Sequence, residues 1–116
     1  MKLHQTIEDE LTYAKRMADM GNICLMEASL KDAGKDPKYM DQANEVRDSG
    51  YNRAVEIHIN NAEMWAKQIR FNMQLPDSRE WLENNLNLAK EYAQIAGIDI
   101  SQKIEEILAS IEKITA

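Results

Sequence analysis

Apolar residues recur at steps of three and four along most of this 116-residue chain. That spacing places side chains on one face of an α-helix, because a helical turn takes 3.6 residues. The first such stripe consists of Leu3, Ile7, Leu11, Ala14, Ala18, Gly21, Leu25 and Ala28. It predicts a first helix about 40 Å long, whose small residues let a neighbouring backbone approach closely. No segment alternates as a half-buried strand would, so the sequence predicts an all-α fold.

Glycine and proline mark the helix ends. In "KDAGKDP", Gly34 is typical of a helix C-terminus and Pro37 of the first turn of the next helix. Pro76 ends the second segment, and Asp77 followed by Glu80 predicts a capping box that opens a third helix. A further helix follows Gly97, with Asp99 or Ser101 as its cap.

The middle segment, residues 37 to 75, is long enough for one helix of about 58 Å. Asp48, Ser49 and Gly50 in "RDSGYN" are poor mid-helix residues, which favours a break or kink there. A straight helix that projects and pairs with another chain is the alternative. The predicted fold is an up-and-down antiparallel bundle of four helices, or five with the break. It has a long central helix and one domain over residues 1–116.

Composition narrows the function classes. Fourteen Lys and Arg against 20 Asp and Glu give a net charge of −6. Without a basic run, direct nucleic-acid binding is not expected; an acidic surface instead suits a basic, nucleic-acid-handling protein partner. No signal peptide or membrane span is evident, and the lone Cys24 is interpreted as a core residue, so we expect a cytoplasmic protein. Neither Glu-x-x-His nor a glycine-rich phosphate loop occurs, so neither metal nor cofactor is predicted.

Two groups of apolar residues predict an interaction surface. One surrounds the junction in "RFNMQLPDSREW" and consists of Phe71, Met73, Leu75 and Trp81. The other is an isoleucine stripe in the last helix, Ile100, Ile104, Ile107, Ile111 and Ile114. Exposed Trp and Met residues are typical of binding hot spots. We therefore expect a non-enzymatic, acidic protein-interaction module, an adaptor, regulator or inhibitor in a homo-oligomer or a larger complex.

The segment "GYNRAVEIHINN" supplies the alternative function. Arg53 and His58 have the spacing Arg-x4-His, which resembles the Arg-x4-6-His signature of the HEPN superfamily of small helical domains, many of them metal-independent ribonucleases or toxins. Ala54 follows the arginine, where that family usually has a polar residue. The resemblance implies that His58 handles the proton on the attacking 2′-hydroxyl and that Arg53 stabilises phosphate charge. On a regular helix the two side chains point about 140° apart, so they converge only across a dimer or beside a helix start.

Overall fold

A computed structural model of the chain describes residues 6–71 and 77–115. Within those ranges the backbone is helical and contains no strand. The elements are α1 (Ile7–Asp19), α2 (Ile23–Ser29), a 3-10 turn (Ala33–Lys35), α3 (Met40–Arg70), α4 (Ser78–Ala96) and α5 (Ser101–Thr115). The all-α prediction and the long central helix are thereby confirmed.

The prediction of one continuous first helix is wrong, because the structure divides it at Gly21 into α1 and α2. Gly21 adopts φ 70°, a left-handed conformation that favours glycine. Its N–H donates to the Ala18 carbonyl, and the Asn22 N–H donates to the Met17 carbonyl, each at 2.9 Å. These two bonds form a Schellman motif that ends α1. The Asn22 side chain then accepts the Leu25 N–H at 3.1 Å and caps α2.

The break at Gly21 also changes which residues are buried. Because α2 starts anew at Ile23, its phase differs from that of the stripe read through from Leu3. Met26 and Leu30 are fully buried, whereas Leu25 and Cys24 are exposed. The interpretation of Cys24 as a core residue is therefore wrong.

Helix α3 runs without interruption through "RDSGYN", so the break favoured there does not form. Its 31 residues give a length of about 46 Å. Gly50 is buried, and a Cβ placed on it would lie 2.1 Å from Met26 Sδ and 3.3 Å from Ala18 Cβ. Glycine at this position allows α3 to approach α1 and α2 closely, which outweighs its poor helix propensity.

The described helices belong to two compact units, Met1–Ala54 and Val55–Ala116, and α3 takes part in both. The first unit has its own core, built around Leu11, Ala14, Met26, Leu30 and Val46. Tyr39 donates a hydrogen bond to Glu8, and Arg53 Nε donates to the Asp19 carbonyl at 3.2 Å. Because these pairs follow the same order along both helices, α1 and the first half of α3 run in the same direction. Whether the chain is a single domain stays a prediction.

The second unit has a core in which α3, α4 and α5 all take part. Leu82, Leu86, Ala89 and Ala93 of α4 are buried, as their spacing predicts. Ile104, Ile107 and Ile111 of α5 are buried in the same core. These three members of the isoleucine stripe are thus covered within this unit and are not exposed surface. The pairing of Lys103 Nζ with Glu63 Oε1 at 2.8 Å links α5 to α3 and raises the pKa of Lys103.

The ends of α4 and α5 follow the predicted positions with one correction. Asp77 is the N-cap residue of α4, but its side chain makes no capping hydrogen bond, so the predicted capping box does not form. Gly97, at φ 73°, ends α4 in the left-handed conformation. Asp99 accepts hydrogen bonds from the Ser101 hydroxyl and, at 3.0 Å, from its N–H, which together lower the pKa of Asp99.

Candidate functional site

Helices α3 and α4 of the second unit pair through aromatic and amide side chains. The rings of Trp65 and Trp81 meet edge to face with centroids 4.9 Å apart. About two turns along, His58 contacts both Asn85 and Tyr92. Because earlier residues of α3 contact later residues of α4, the two helices are antiparallel. The helix pair thus brings four ring-bearing side chains into two contacts, Trp65 with Trp81 and His58 with Tyr92.

The hydrogen bonds of Asn85 fix the tautomer of neutral His58. Asn85 Nδ2 donates to the Trp81 carbonyl at 2.9 Å, and a carbonyl oxygen can only accept. Asn85 Oδ1 must therefore be the atom that lies 3.0 Å from His58 Nδ1. It follows that Nδ1 carries the hydrogen and that Nε2 of the neutral ring is the hydrogen-bond acceptor.

Tyr92 packs against the face of the His58 ring. The two rings stack with centroids 5.7 Å apart and an interplanar angle of 24°. His58 is half-buried, and it combines the packing of its ring against Tyr92 with a polar contact to Asn85. A neutral imidazole fixed in this way can accept a hydrogen bond at Nε2.

Arg53 binds the C-terminal end of α1, in the first unit. Its Nε donates to the carbonyl of Asp19, the last residue of that helix, which is one of the acceptors that a helix C-terminus leaves open. Arg53 and His58 therefore have separate partners in separate units. Convergence beside a helix start does not arise, because α3 is continuous from Met40 to Arg70. Convergence across a dimer remains the condition on which the ribonuclease alternative depends.

The predicted interaction residues fall into three groups. Phe71 and Trp81 are 66% and 51% exposed, large values for such apolar side chains. Ile104, Ile107 and Ile111 lie in the core, and Ile100 is partly buried against it. Met73, Leu75 and the side chain of Ile114 lie outside the described residues.

Trp65 and Met64 were missing from the predicted surface. Met64 is 47% exposed, and Trp65 is half-buried against Trp81. Trp65 lies at helical spacing from the buried residues Val55 and Ala62, so spacing alone predicts a core position for it. Only the pairing with α4 shows that Trp65 lies at the edge of the core.

In residues 6–71 and 77–115, no three His, Cys, Asp or Glu side chains are grouped closely enough to hold a metal ion. In the same ranges no helix combines the length and the apolar character needed to cross a membrane.

Comparison with known proteins found no matching family model, no matching curated protein and no matching solved structure. The site is therefore interpreted from its own geometry.

Proposed function

We propose that this chain is a non-enzymatic protein-interaction module. It binds through a surface at one end of the α3–α4 pair, formed by Met64, Trp65, Phe71 and Trp81 and called here the hairpin-end surface. The observation that carries the proposal is the half-exposed Trp81 ring packed edge-on against Trp65. Trp is among the residues most enriched in the centres of protein interfaces.

The packing of Trp81 makes it a suitable anchor. A large side chain that is already held in place loses little conformational freedom when a partner covers it, so more of its burial energy contributes to affinity. Met64 and Phe71 lie seven residues apart, which is about two helical turns, and are 47% and 66% exposed, so they add exposed apolar area towards the same end of α3. Single exposed apolar residues are common on proteins, whereas grouped exposed apolar residues mark interaction sites.

Charge supports a regulatory form of the same proposal. The net charge of −6 favours a basic partner, such as a nucleic-acid-handling protein, and an adaptor, regulator or inhibitor role. We also propose that the helices are arranged up and down and that the protein is located in the cytoplasm. If the affinity for the partner does not fall as the salt concentration rises, the partner is not bound through charge. The proposal then rests on the aromatic anchor alone.

The test is quantitative capture of partners from the native host with matched variants. Wild-type protein, Trp81→Ala and Leu108→Ala are compared, since Leu108 is also exposed (40%) but lies on α5. We expect a partner that wild type and Leu108→Ala retain equally and that Trp81→Ala binds at least about 30-fold more weakly. The proposal fails if no partner, including a second copy of the chain, depends on Trp81.

A further inference from the structure

The first turn of α4 carries a buried hydroxyl group that forms no hydrogen bond. Ser78, the first residue of the helix, is 4% exposed, and its Oγ has no hydrogen-bond partner in the described parts of the chain. A serine hydroxyl can donate one hydrogen bond and accept two. Leaving all of them unmade destabilises the folded arrangement, because the same group would be hydrated if it were exposed.

Gln68 of α3 provides a second unpaired atom at the same level of the helix pair. Its Oε1 is buried and accepts no hydrogen bond from the residues that the structure describes. The contact between Trp65 and Trp81 sets the alignment of the two antiparallel helices. Three residues on from Trp65 along α3 lies Gln68, and three residues back from Trp81 along α4 lies Ser78. Both polar residues are therefore one helical turn beyond the tryptophan pair.

The backbone at the start of α4 is also held less firmly than the backbone at the start of α1. Thr6 caps α1 by accepting the N–H of Asp9 at 3.1 Å. The side chain of Asp77 makes no such bond at the start of α4, although aspartate is a good N-cap residue. The backbone of Asp77, at φ −103° and ψ 9°, does not adopt the extended conformation of Thr6, at φ −135° and ψ 162°.

These three features fall on the helical turn that positions Trp81. The first intrahelical hydrogen bond of α4 runs from the Trp81 N–H to the Asp77 carbonyl at 2.9 Å. Unwinding from the N-terminus therefore breaks this bond first and moves Trp81 away from Trp65. The C-terminal end of α4 is closed more firmly, because Gly97 ends it in the left-handed conformation that glycine favours. The helix is thus least stable at the end that carries Trp81.

We propose that the first turn of α4, residues 78–81, is a conformational switch that opens and closes while the rest of the second unit stays folded. In the closed state, which is the arrangement described above, Trp81 packs on Trp65, and the polar atoms of Ser78 and Gln68 are buried without partners. Opening lets these atoms bind water and breaks the aromatic contact. Unpaired polar groups in the closed state reduce the free-energy difference between the two states, so the open state is populated in the folded protein.

The switch goes beyond the proposed function and controls the surface on which that function rests. Only the closed state holds Trp81 against Trp65, so only the closed state presents the hairpin-end surface with its anchor in place. A partner that binds this surface therefore stabilises the closed state. The two claims can fail separately, because opening is measured on the isolated chain and partner binding is measured by capture.

Hydrogen exchange of single backbone amides, followed by NMR on the isolated protein, measures the opening. The amides of Trp81 and Ile104 are compared, because each makes the first hydrogen bond of its helix. The Trp81 N–H donates to the Asp77 carbonyl at 2.9 Å, and the Ile104 N–H donates to the Ile100 carbonyl at 3.0 Å. We expect the protection factor of the Trp81 amide to be at least about 10-fold lower. A Trp81 amide that is protected as well as the Ile104 amide overturns the inference.

Two serine variants separate the unpaired hydroxyl from the general effect of alanine in a helix. Ser78→Ala removes the unpaired hydroxyl, whereas Ser101→Ala removes a hydroxyl at the same position of α5 that donates to Asp99. Ser78→Ala is expected to slow exchange of the Trp81 amide at least about 5-fold, because the closed state then buries one unpaired polar group fewer. Ser101→Ala is expected not to slow exchange of the Ile104 amide.

Gln68→Met tests the second polar atom and keeps the inference testable if Ser78→Ala fails to fold. Methionine has nearly the shape of glutamine without its amide group, so exchange of the Trp81 amide should again become slower. Either variant contradicts the switch if it leaves this exchange unchanged or accelerates it. The switch is also contradicted if Ser101→Ala slows exchange in α5 as much as Ser78→Ala does in α4, since the helix propensity of alanine then explains both effects.

Discussion

Replacing Gly50 with alanine tests the close approach of α3 to α1 and α2. In an exposed helix interior, Gly→Ala stabilises a protein by about 1 kcal/mol, because alanine has the higher helix propensity. At Gly50 the new Cβ would lie 2.1 Å from Met26 Sδ and 3.0 Å from Met26 Cε. Contact distances between such atoms are about 3.5–4 Å, so the overlap is more than 1 Å and must be relieved by movement.

The overlapped atoms are the flexible end of the Met26 side chain, but Met26 has no exposed surface into which it can move, and Ala18 Cβ at 3.3 Å closes the other side of the space, so the shift disturbs packed neighbours. Overpacking of a filled core costs about 1–3 kcal/mol, and the size of this overlap points to the upper half of that range. After the gain in helix propensity is subtracted, we expect Gly50→Ala to lower the free energy of unfolding by about 1–2 kcal/mol. Urea unfolding followed by far-UV circular dichroism measures the change.

Two controls separate packing from backbone effects. Ser49→Ala, at the exposed neighbouring position in the same helix, should stabilise slightly. Combining Gly50→Ala with Met26→Ala should cost less than the sum of the single changes by about 1 kcal/mol or more, since the clash is then absent. A Gly50→Ala protein as stable as wild type, or additive behaviour in the double variant, would refute the proposed close approach.

Other positions give independent tests. Tyr39→Phe should return the pKa of Glu8 towards its ordinary value of 4.5, because the hydrogen bond from the Tyr39 hydroxyl is the main cause that lowers it; an NMR titration of the Glu8 carboxyl measures this. Since the folded-state pKa is lowered, the stability gained from this bond is present above the unfolded pKa and is lost as pH falls through the folded one, so acid should narrow the difference between wild type and Tyr39→Phe. Gly21→Ala should cost about 1–2 kcal/mol in urea unfolding, because alanine is strained at φ 70°; an unchanged midpoint would contradict the Schellman turn. Wild-type protein should leave single-stranded RNA intact in the presence of a chelator, and cleavage that His58→Ala abolishes would instead favour the ribonuclease interpretation.

Spacing alone predicted the helical class and much of the second core. Leu82, Leu86, Ala89 and Ala93 recur at helical steps and are buried together. Such local patterns suffice because each helix hides one apolar face. The turn at Gly97 could likewise be predicted from the sequence, since glycine is the preferred residue just beyond a helix end.

The structural roles of Gly21 and Gly50 were predicted wrongly, because local sequence patterns do not determine them. Gly21 lies at helical spacing from Ala18, so it resembled a member of the stripe, although the following Asn22 was a usable sign of a new N-cap. Gly50 resembled a helix breaker, and only its contact with Met26 in the folded chain explains why glycine is needed in a continuous helix. Local propensity is a weak guide where tertiary packing decides.

The candidate site could be predicted only in part for a similar reason. Phe71 and Trp81 were selected as apolar residues beside a proline junction, and both are exposed. The pairing of Trp65 with Trp81, and of His58 with Asn85, joins residues far apart in sequence. Periodicity assigns such residues to a face of one helix but does not show which face of another helix they meet.

Hydroxyl-radical footprinting at increasing protein concentration, or with a captured partner, tests the central claim most directly. It measures the oxidation rate of each side chain, and Met20, 64% exposed in the first unit, serves as the internal reference. A protein-interaction module that uses the hairpin-end surface predicts that Trp81 and Phe71 become protected on association while Met20 does not. Association that leaves Trp81 and Phe71 as reactive as in the isolated chain would contradict the account.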